Sequence, residues 1–326
     1  MRKSQCCNSA VWRIGERCRR CSKCRRKWRV WKRKPGRPKL RNHGRLLRKV
    51  FVEHRTLTQL ANAEGVTPQA LSYRFLKALS TELKKGRIPS AALSASNQLI
   101  LLADGLWFKF KRRPWVLYVM ALRPVGDSTA TFVDPLLLRG RESKAGWEMA
   151  FGTIPAVHRR KICALVVDNF SGSVGLSREN GWLLQLCNFH VLATFRNWLG
   201  TRRPRYVGAS PLRFESFKLV EDAVRMDAGP RLDSKLARLV QIAEQPGISS
   251  NFADRLREFH RRSDHYRAYR LHRRLRLPWT NSSLESAGAK IRRLMRRVMG
   301  LRTPRSLRLW STVYLRWYPT ILCNPG

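Results

Sequence analysis

Between Leu99 and Leu186 the chain carries five short runs rich in leucine, β-branched and aromatic residues, and their spacing limits the fold more than any other feature. Three follow in quick succession: Leu99 to Phe110, Trp115 to Leu122 and Thr129 to Leu138, parted by turn signals at Lys111 to Pro114 and Pro124 to Ser128. That order suggests an antiparallel meander. A helix from Ser143 to about Phe151 precedes a fourth run, Ile162 to Val167. A second helix near Ser173 to Asn180 precedes the fifth, Leu183 to Leu186. This part of the chain is expected to be α+β, with elements in the order β-β-β-α-β-α-β.

That order is the one found in RNase H-like domains. In that topology the first and fourth strands lie side by side. Asp104, inside the first run, and Asp168, closing the fourth, would then meet at one end of the sheet. Asp104-Gly105 would also suit a hairpin turn, but aromatic strand residues continue directly to Phe110, too soon for two long arms. Asp168 could instead cap the Asp168-Asn169 turn. Asp134 is a rival, but Pro135 follows it and the third strand lies beyond the pair that would carry the site. A third carboxylate stands out for its isolation: Glu285 is the only acid after position 264, among fourteen Lys and Arg. It opens a helix running to about Val298, where Ser282-x-x-Glu285 also fits a capping box. Two strand-associated aspartates and a helical glutamate are what a magnesium pair about 4 Å apart needs to cut a phosphodiester.

The partner is read from charge. The 326 residues hold 66 Lys plus Arg against 21 Asp plus Glu, a net +45, and the natural counterpart of such a surface is a polyanion. With 43% hydrophobic residues the chain can still bury a sizeable core. No apolar stretch approaches the ~18 residues of a membrane span, and the N-terminus lacks the apolar core of a signal peptide. An intracellular protein is expected, with its eight cysteines as thiols or metal ligands.

Cys6, Cys7, Cys18, Cys21 and Cys24 form C-C-x10-C-x2-C-x2-C, which reads as a small zinc-ribbon-like module over residues 1–40 holding zinc through four of the five. Trp12, Trp28 and Trp31 interleave with the basic residues and would pack over so small a core or stack on bases. Lys34-Pro35-Gly36-Arg37-Pro38-Lys39 resembles an AT-hook core, with Arg37 for a minor groove, or is a basic linker. Residues 41–90 read as a helix-turn-helix domain. An upstream helix at about Arg45 to His54 is followed by a short helix from Leu57, a turn at Gly65, and a second helix capped by Thr67 with Pro68 at its start. Gln69, Ser72, Tyr73 and Arg74 then fall on the side that would enter a major groove.

Cys187-x-x-His190 after the fifth strand, and Thr280-Asn281-x-x-Leu284-Glu285-Ser286, carry a family likeness. With Asp104 and Asp168, they make the chain resemble the Mutator-like bacterial insertion-sequence transposases, a branch of the DDE recombinases, from about Asp104 to Arg302. The resemblance implies that Asp104, Asp168 and Glu285 are catalytic and bind Mg (or Mn). Cys187 and His190 would be a signature pair outside the triad, with a structural role; two ligands make an incomplete zinc site. It implies an RNase H-like catalytic domain over 97–190 and 279–326, with an all-α insertion at 191–278 read as helices 191–199, 214–227, 233–245 and 251–275. Arg261, Arg262, Arg270, Arg273 and Arg274 belong to a basic face of that insertion whose charges outnumber the acids that could compensate them, and would grip DNA phosphates. Gly300-Leu301-Arg302 also matches. The expected function is a transposase, a homo-oligomer of at least two chains, in the cytoplasm and nucleoid-associated. It would bind the terminal inverted repeats of a mobile element and cut and join double-stranded DNA at the triad. The alternative is a non-catalytic DNA-binding regulator or a decayed transposase.

Overall fold

The computed structural model describes residues 4, 6–15, 18–29, 43–86, 90–200, 210–297 and 303–323. Trp31, Arg37 with its Lys34 to Lys39 motif, and Gly300-Leu301-Arg302 lie outside the described residues. The chain divides into two compact units, Met1–Arg45 and Leu46–Gly326. Among the described residues no helix is long and apolar enough to cross a membrane.

The first unit holds a three-stranded antiparallel sheet of β1 (Val11–Gly15), β2 (Cys18–Cys21) and β3 (Lys27–Arg29), in that order. Side chains alternate along a strand, so Cys18 and Cys21, three positions apart, face opposite ways. Only Cys21, at the start of the turn that brings back Cys24, joins the cysteine cluster: the sulfurs of Cys6, Cys7, Cys21 and Cys24 lie within 4.8 Å of one another. Cys18 is outside that group. Trp12, expected over a small core, is instead 54% exposed.

The boundary falls within α1 (His43–Phe51), and the second unit continues with α2 (Leu57–Ala63) and α3 (Pro68–Lys84). Thr56 and Gln59 cap α2 reciprocally at 3.1 and 3.0 Å. Thr67 caps α3 by accepting from the Ala70 amide at 3.2 Å, with Pro68 next in line. Gly65, at φ +61°, makes the turn between them in the left-handed region. Then follow α4 (Ala91–Ala95), β4 (Leu99–Phe110), β5 (Arg113–Pro124), β6 (Thr129–Phe132), β7 (Leu136–Arg139), α5 (Lys144–Gly152), α6 (Ala156–Arg159), β8 (Ile162–Val167), α7 (Ser173–Glu179) and β9 (Leu183–Leu186). A helical stretch comprises α8 (Asn188–Asn197), α9 (Pro211–Arg225), α10 (Pro230–Ala243), α11 (Ser250–Arg261) and α12 (Ser263–Leu271). The described chain closes with α13 (Ser282–Arg297), α14 (Pro304–Trp317) and β10 (Thr320–Leu322).

The sheet is mixed, in the order β10-β6-β5-β4-β8-β9, with β7 also on β5. Lys111 and Arg112, both at positive φ, make the two-residue hairpin between β4 and β5. β8 runs parallel to β4, pairing Ala103 with Val167, and β9 runs parallel to β8. The pleat separates two cores. Leu99, Leu101 and Ala103 face a layer with Trp147, Leu165, Val167 and the helices α8 to α12. Ile100, Leu102 and Leu106 face another with Ala164, Val166, α1 to α3, α13 and α14. Asp104 shares the parity of Ile100, Leu102 and Leu106, so it points to the side that α13 covers.

Three features differ from expectation. The third run is two strands, because the stretch around Pro135, which has no amide hydrogen to donate, interrupts the ladder. The helix expected over 251–275 breaks at Arg262, at φ −110° and ψ 10°, which turns α12 back onto β9. There Gln185, fully buried, accepts from the Tyr269 amide at 2.7 Å and donates to the Tyr266 carbonyl at 3.1 Å. Finally, the α1 to α3 segment shares a core with α14: the Phe51 ring meets Trp310, Tyr314 and Trp317 edge-on, each at 5.6 Å. Those terminal aromatics are packing residues.

Candidate active site

Asp104 lies within β4, paired with Val119 on β5 and one position past the Ala103–Val167 pair at which β8 ends, and Asp168 follows Val167 directly. Glu285 comes from the first turn of α13. Gly288, one turn on, rests on Leu106: a Cβ there would stand 2.6 Å from Leu106 Cδ2. The absent side chain lets the helix close on β4 and bring Glu285 over the strand end. Asn281, fully buried just before α13, fastens the same junction, with Nδ2 donating to the Ala103 carbonyl at 2.7 Å and its amide to Cys187 Sγ at 3.2 Å. The Asn188 amide adds a bond to the Trp279 carbonyl at 3.0 Å.

Charge collects here. Asp104 is 8% exposed, and burial, followed by the charges of Asp168 and Glu285, lifts its carboxyl from the usual 3.8 to about 7. Burial also raises Glu285, against the opposing pull of His190. The His190 Nδ1 lies 2.8 Å from Asp168 Oδ1 and 3.4 Å from Glu285 Oε1. The closer approach is poorly aligned for a hydrogen bond, so both atoms are buried without a directed partner. The Asp168 carboxylate, and then Cys187, push the imidazole up to about 11. Cys187 Sγ reaches Glu285 Oε1 at 3.8 Å. Cys187 and His190, expected as a signature pair with a structural role, thus lie against Asp168 and Glu285.

A cavity of about 320 Å³ opens beside Asp168 and His190 and is lined also by Glu142, Arg255, Glu258 and Tyr266. Glu142 is a fourth acid that sequence reading missed. Its Oε1 accepts from Trp147 Nε1 at 2.9 Å, and it lies so close over Gly105 that a Cβ there would come within 2.8 Å of it. Burial raises its proton affinity. The one available signal was Gly105 itself, a strand glycine where another group approaches the backbone. Asn169, next to Asp168, turns to the helical stretch, donating to Glu258 Oε1 at 3.1 Å and accepting from Arg262. Asp134, the rival acid, is taken up in a paired contact with Arg316 at 3.1 and 2.5 Å.

The residues expected to touch nucleic acid are scattered. Gln69 and Tyr73 are exposed on α3 and Ser72 is half-buried beside them, while Arg74 pairs with Glu64 at 3.1 Å. The arginines of the helical stretch have acid partners: Asp227, distant in sequence, binds Arg270 at 2.9 Å and Arg273 at 2.7 Å, and Glu258, four positions away, is 3.4 Å from Arg262. Arg274 is exposed and has no acid partner among the described residues.

In the first unit, Cys6 and Cys24 sulfurs are 3.5 Å apart. The Ser4 hydroxyl, with the Cys24 backbone amide, lowers the Cys21 thiol to about 5. The four clustered sulfurs are a donor set suited to a tetrahedral zinc ion.

Among solved structures, a chain titled "Drosophila P element transposase strand transfer complex" matches at 11% identity, over 83% of this chain and 98% of that one, with a TM-score of 0.40. No protein-family model and no curated protein matches the sequence. A likeness at that level assigns no chemistry, which has to come from the side chains themselves.

Proposed function

We propose that the chain is a DDE transposase of the Mutator-like bacterial insertion-sequence superfamily, binding the inverted repeats of a mobile element and cutting and joining double-stranded DNA. The observation that carries this reading is the meeting of Asp104, Asp168 and Glu285, which come from three elements and are separated by 64 and 117 positions in the sequence. The parallel β4–β8 pairing beside an antiparallel β4–β5 hairpin supports an RNase H-like domain over 97–190 and 279–326, with 191–278 inserted.

The site's own residues fit a hard divalent cation. Three carboxylates at the end of β8, one with its proton affinity raised by burial and then by the others, would form an oxygen donor set suited to Mg²⁺ or Mn²⁺. Such ions, when bound, supply Lewis-acid activation of the attacking oxygen and stabilise the leaving 3′ oxygen. The protein's contribution is positional and electrostatic. Asn281 and the Gly288–Leu106 contact fix Glu285 relative to Asp104. His190, when protonated and free of metal, would offset the charge of Asp168 and Glu285. Arg292 on α13 eases the burden on Asp104. Zinc at Cys6, Cys7, Cys21 and Cys24 would hold the N-terminal module, which together with the α2–α3 helix-turn-helix would find the element's ends.

The test is Asp104→Asn. It should bind the element's ends as the wild type does and fail to nick them in Mg²⁺ or Mn²⁺. Nicking that persists would remove Asp104 from the site; binding without nicking by the wild type would favour a regulator or a decayed enzyme.

A further inference from the structure

Asp168, Cys187, His190 and Glu285 each present one donor atom, and the four atoms lie within 4.8 Å of one another. The known edges of this figure are 2.8 Å from His190 Nδ1 to Asp168 Oδ1, 3.4 Å from Nδ1 to Glu285 Oε1 and 3.8 Å from Cys187 Sγ to Oε1. Bonds of about 2.0–2.3 Å to a tetrahedral zinc ion would set such edges at roughly 3.3–3.8 Å. Small side-chain shifts bridge the difference. We propose that these four residues form a second zinc site that overlaps the magnesium-binding carboxylates, so that zinc and magnesium compete for Asp168 and Glu285.

Donor chemistry separates the two metals. Asp104, Asp168 and Glu285 offer oxygen alone, whereas Cys187 and His190 add a sulfur and an imidazole nitrogen, which favour zinc. Asp104 belongs to the first set only. The second set is built as a metal site is built. Cys187 Sγ is buried and oriented by the Asn281 amide at 3.2 Å, and Cys187 sits on the rigid end of β9. His190, in the first turn of α8, follows three positions later, which turns its ring back over the strand ends. Asp168 Oδ1 and His190 Nδ1 are buried side by side without directed hydrogen bonds, and a cation among the four donors would serve both. This reverses the expectation that Cys187-x-x-His190 makes too few ligands for zinc: the missing two are the carboxylates brought in by β8 and α13.

Zinc binding here does not depend on the transposase reading; only its effect on cleavage does. The experiment is zinc content of the full-length chain after equilibration with zinc chloride and removal of free metal. Wild type should hold two zinc ions per chain. Cys187→Ser and His190→Gln should each hold one, with the helix and strand content of the wild type by circular dichroism. A Cys21→Ser/Cys24→Ser variant should also hold one, and that one should disappear when Cys187→Ser is added. If Cys187→Ser does not fold, His190→Gln decides alone. One zinc per chain in the wild type, retained by both Cys187→Ser and His190→Gln, would overturn the proposal. Where the wild type nicks DNA in magnesium, added zinc should inhibit it, and Cys187→Ser should shift that inhibition to at least about tenfold higher zinc. Inhibition unchanged in Cys187→Ser would refute the competition, and absence of nicking altogether would count against the transposase reading while leaving the zinc count to judge the site.

Discussion

Asn281 donates from Nδ2 to the Ala103 carbonyl at 2.7 Å, so the residue that introduces the Glu285 helix is bonded to the residue before Asp104. Two parts of the chain 178 positions apart are joined at the point where their carboxylates meet. Asn281→Ala leaves that buried carbonyl without its donor, a loss of about 1–3 kcal/mol in urea unfolding. Nicking should fall further than DNA binding, because the bond sets the distance between Glu285 and Asp104. Equal losses in both assays would reduce Asn281 to a purely structural residue.

Asp104 makes the metal-free protein sensitive to pH. Its folded carboxyl, at about 7, holds its proton more tightly than the usual 3.8. Both states are protonated at low pH, so the group costs nothing there; stability then falls as pH rises from about 4 through 7. Asp104→Asn stays neutral and escapes that penalty. In a chelator its melting temperature should exceed that of the wild type at pH 8, and the two should converge towards pH 4. Magnesium at pH 8 should raise the wild type and leave the variant unmoved. A constant gap across this range would contradict the burial of charge at the site.

Gly288 tests the packing beneath the carboxylates. In Gly288→Ala the new methyl meets Leu106 Cδ2 at 2.6 Å and Cδ1 at 3.2 Å. Overpacking of this kind costs about 1–3 kcal/mol. Pairing it with Leu106→Val should return part of the loss, which a double-mutant cycle in urea would read as coupling. Additive losses would mean that the helix does not rest on this contact.

In the N-terminal unit, Cys18→Ser should keep its zinc, whereas Cys21→Ser and Cys24→Ser should lose it. Metal content measured in a Cys187→Ser background isolates this site. Loss of zinc from Cys18→Ser would reassign the ligands.

The strands of the sheet could be read in the sequence because β-branched and aromatic runs are bounded by turn residues, and the chain is continuous through them. The approach of Asp104 to Asp168 was expected from the element order, through the strand neighbourhood of an RNase H-like topology. What sequence hid depends on contacts between distant segments. No glycine or proline marks the break at Arg262; α12 turns there because Gln185 captures the Tyr269 and Tyr266 backbone groups. Asp227 neutralises Arg270 and Arg273 from 43 and 46 positions away, so the arginines looked unopposed. Glu142 precedes a helix like many solvent-facing acids, and only the room over Gly105 brings it to the site. Cys18 and Cys21 looked like equal ligands until the strand between them put their side chains on opposite faces.

The most direct measurement is nicking of a labelled duplex bearing the element's own ends, in Mg²⁺ and in Mn²⁺, by wild type and Glu285→Gln at matched DNA occupancy. Glu285 turns its carboxylate towards His190 and Cys187, at 3.4 and 3.8 Å, so the wild type should cut and the variant should bind without cutting. Equal cutting by both proteins would make Glu285 a helix-capping residue and contradict the assignment of the triad.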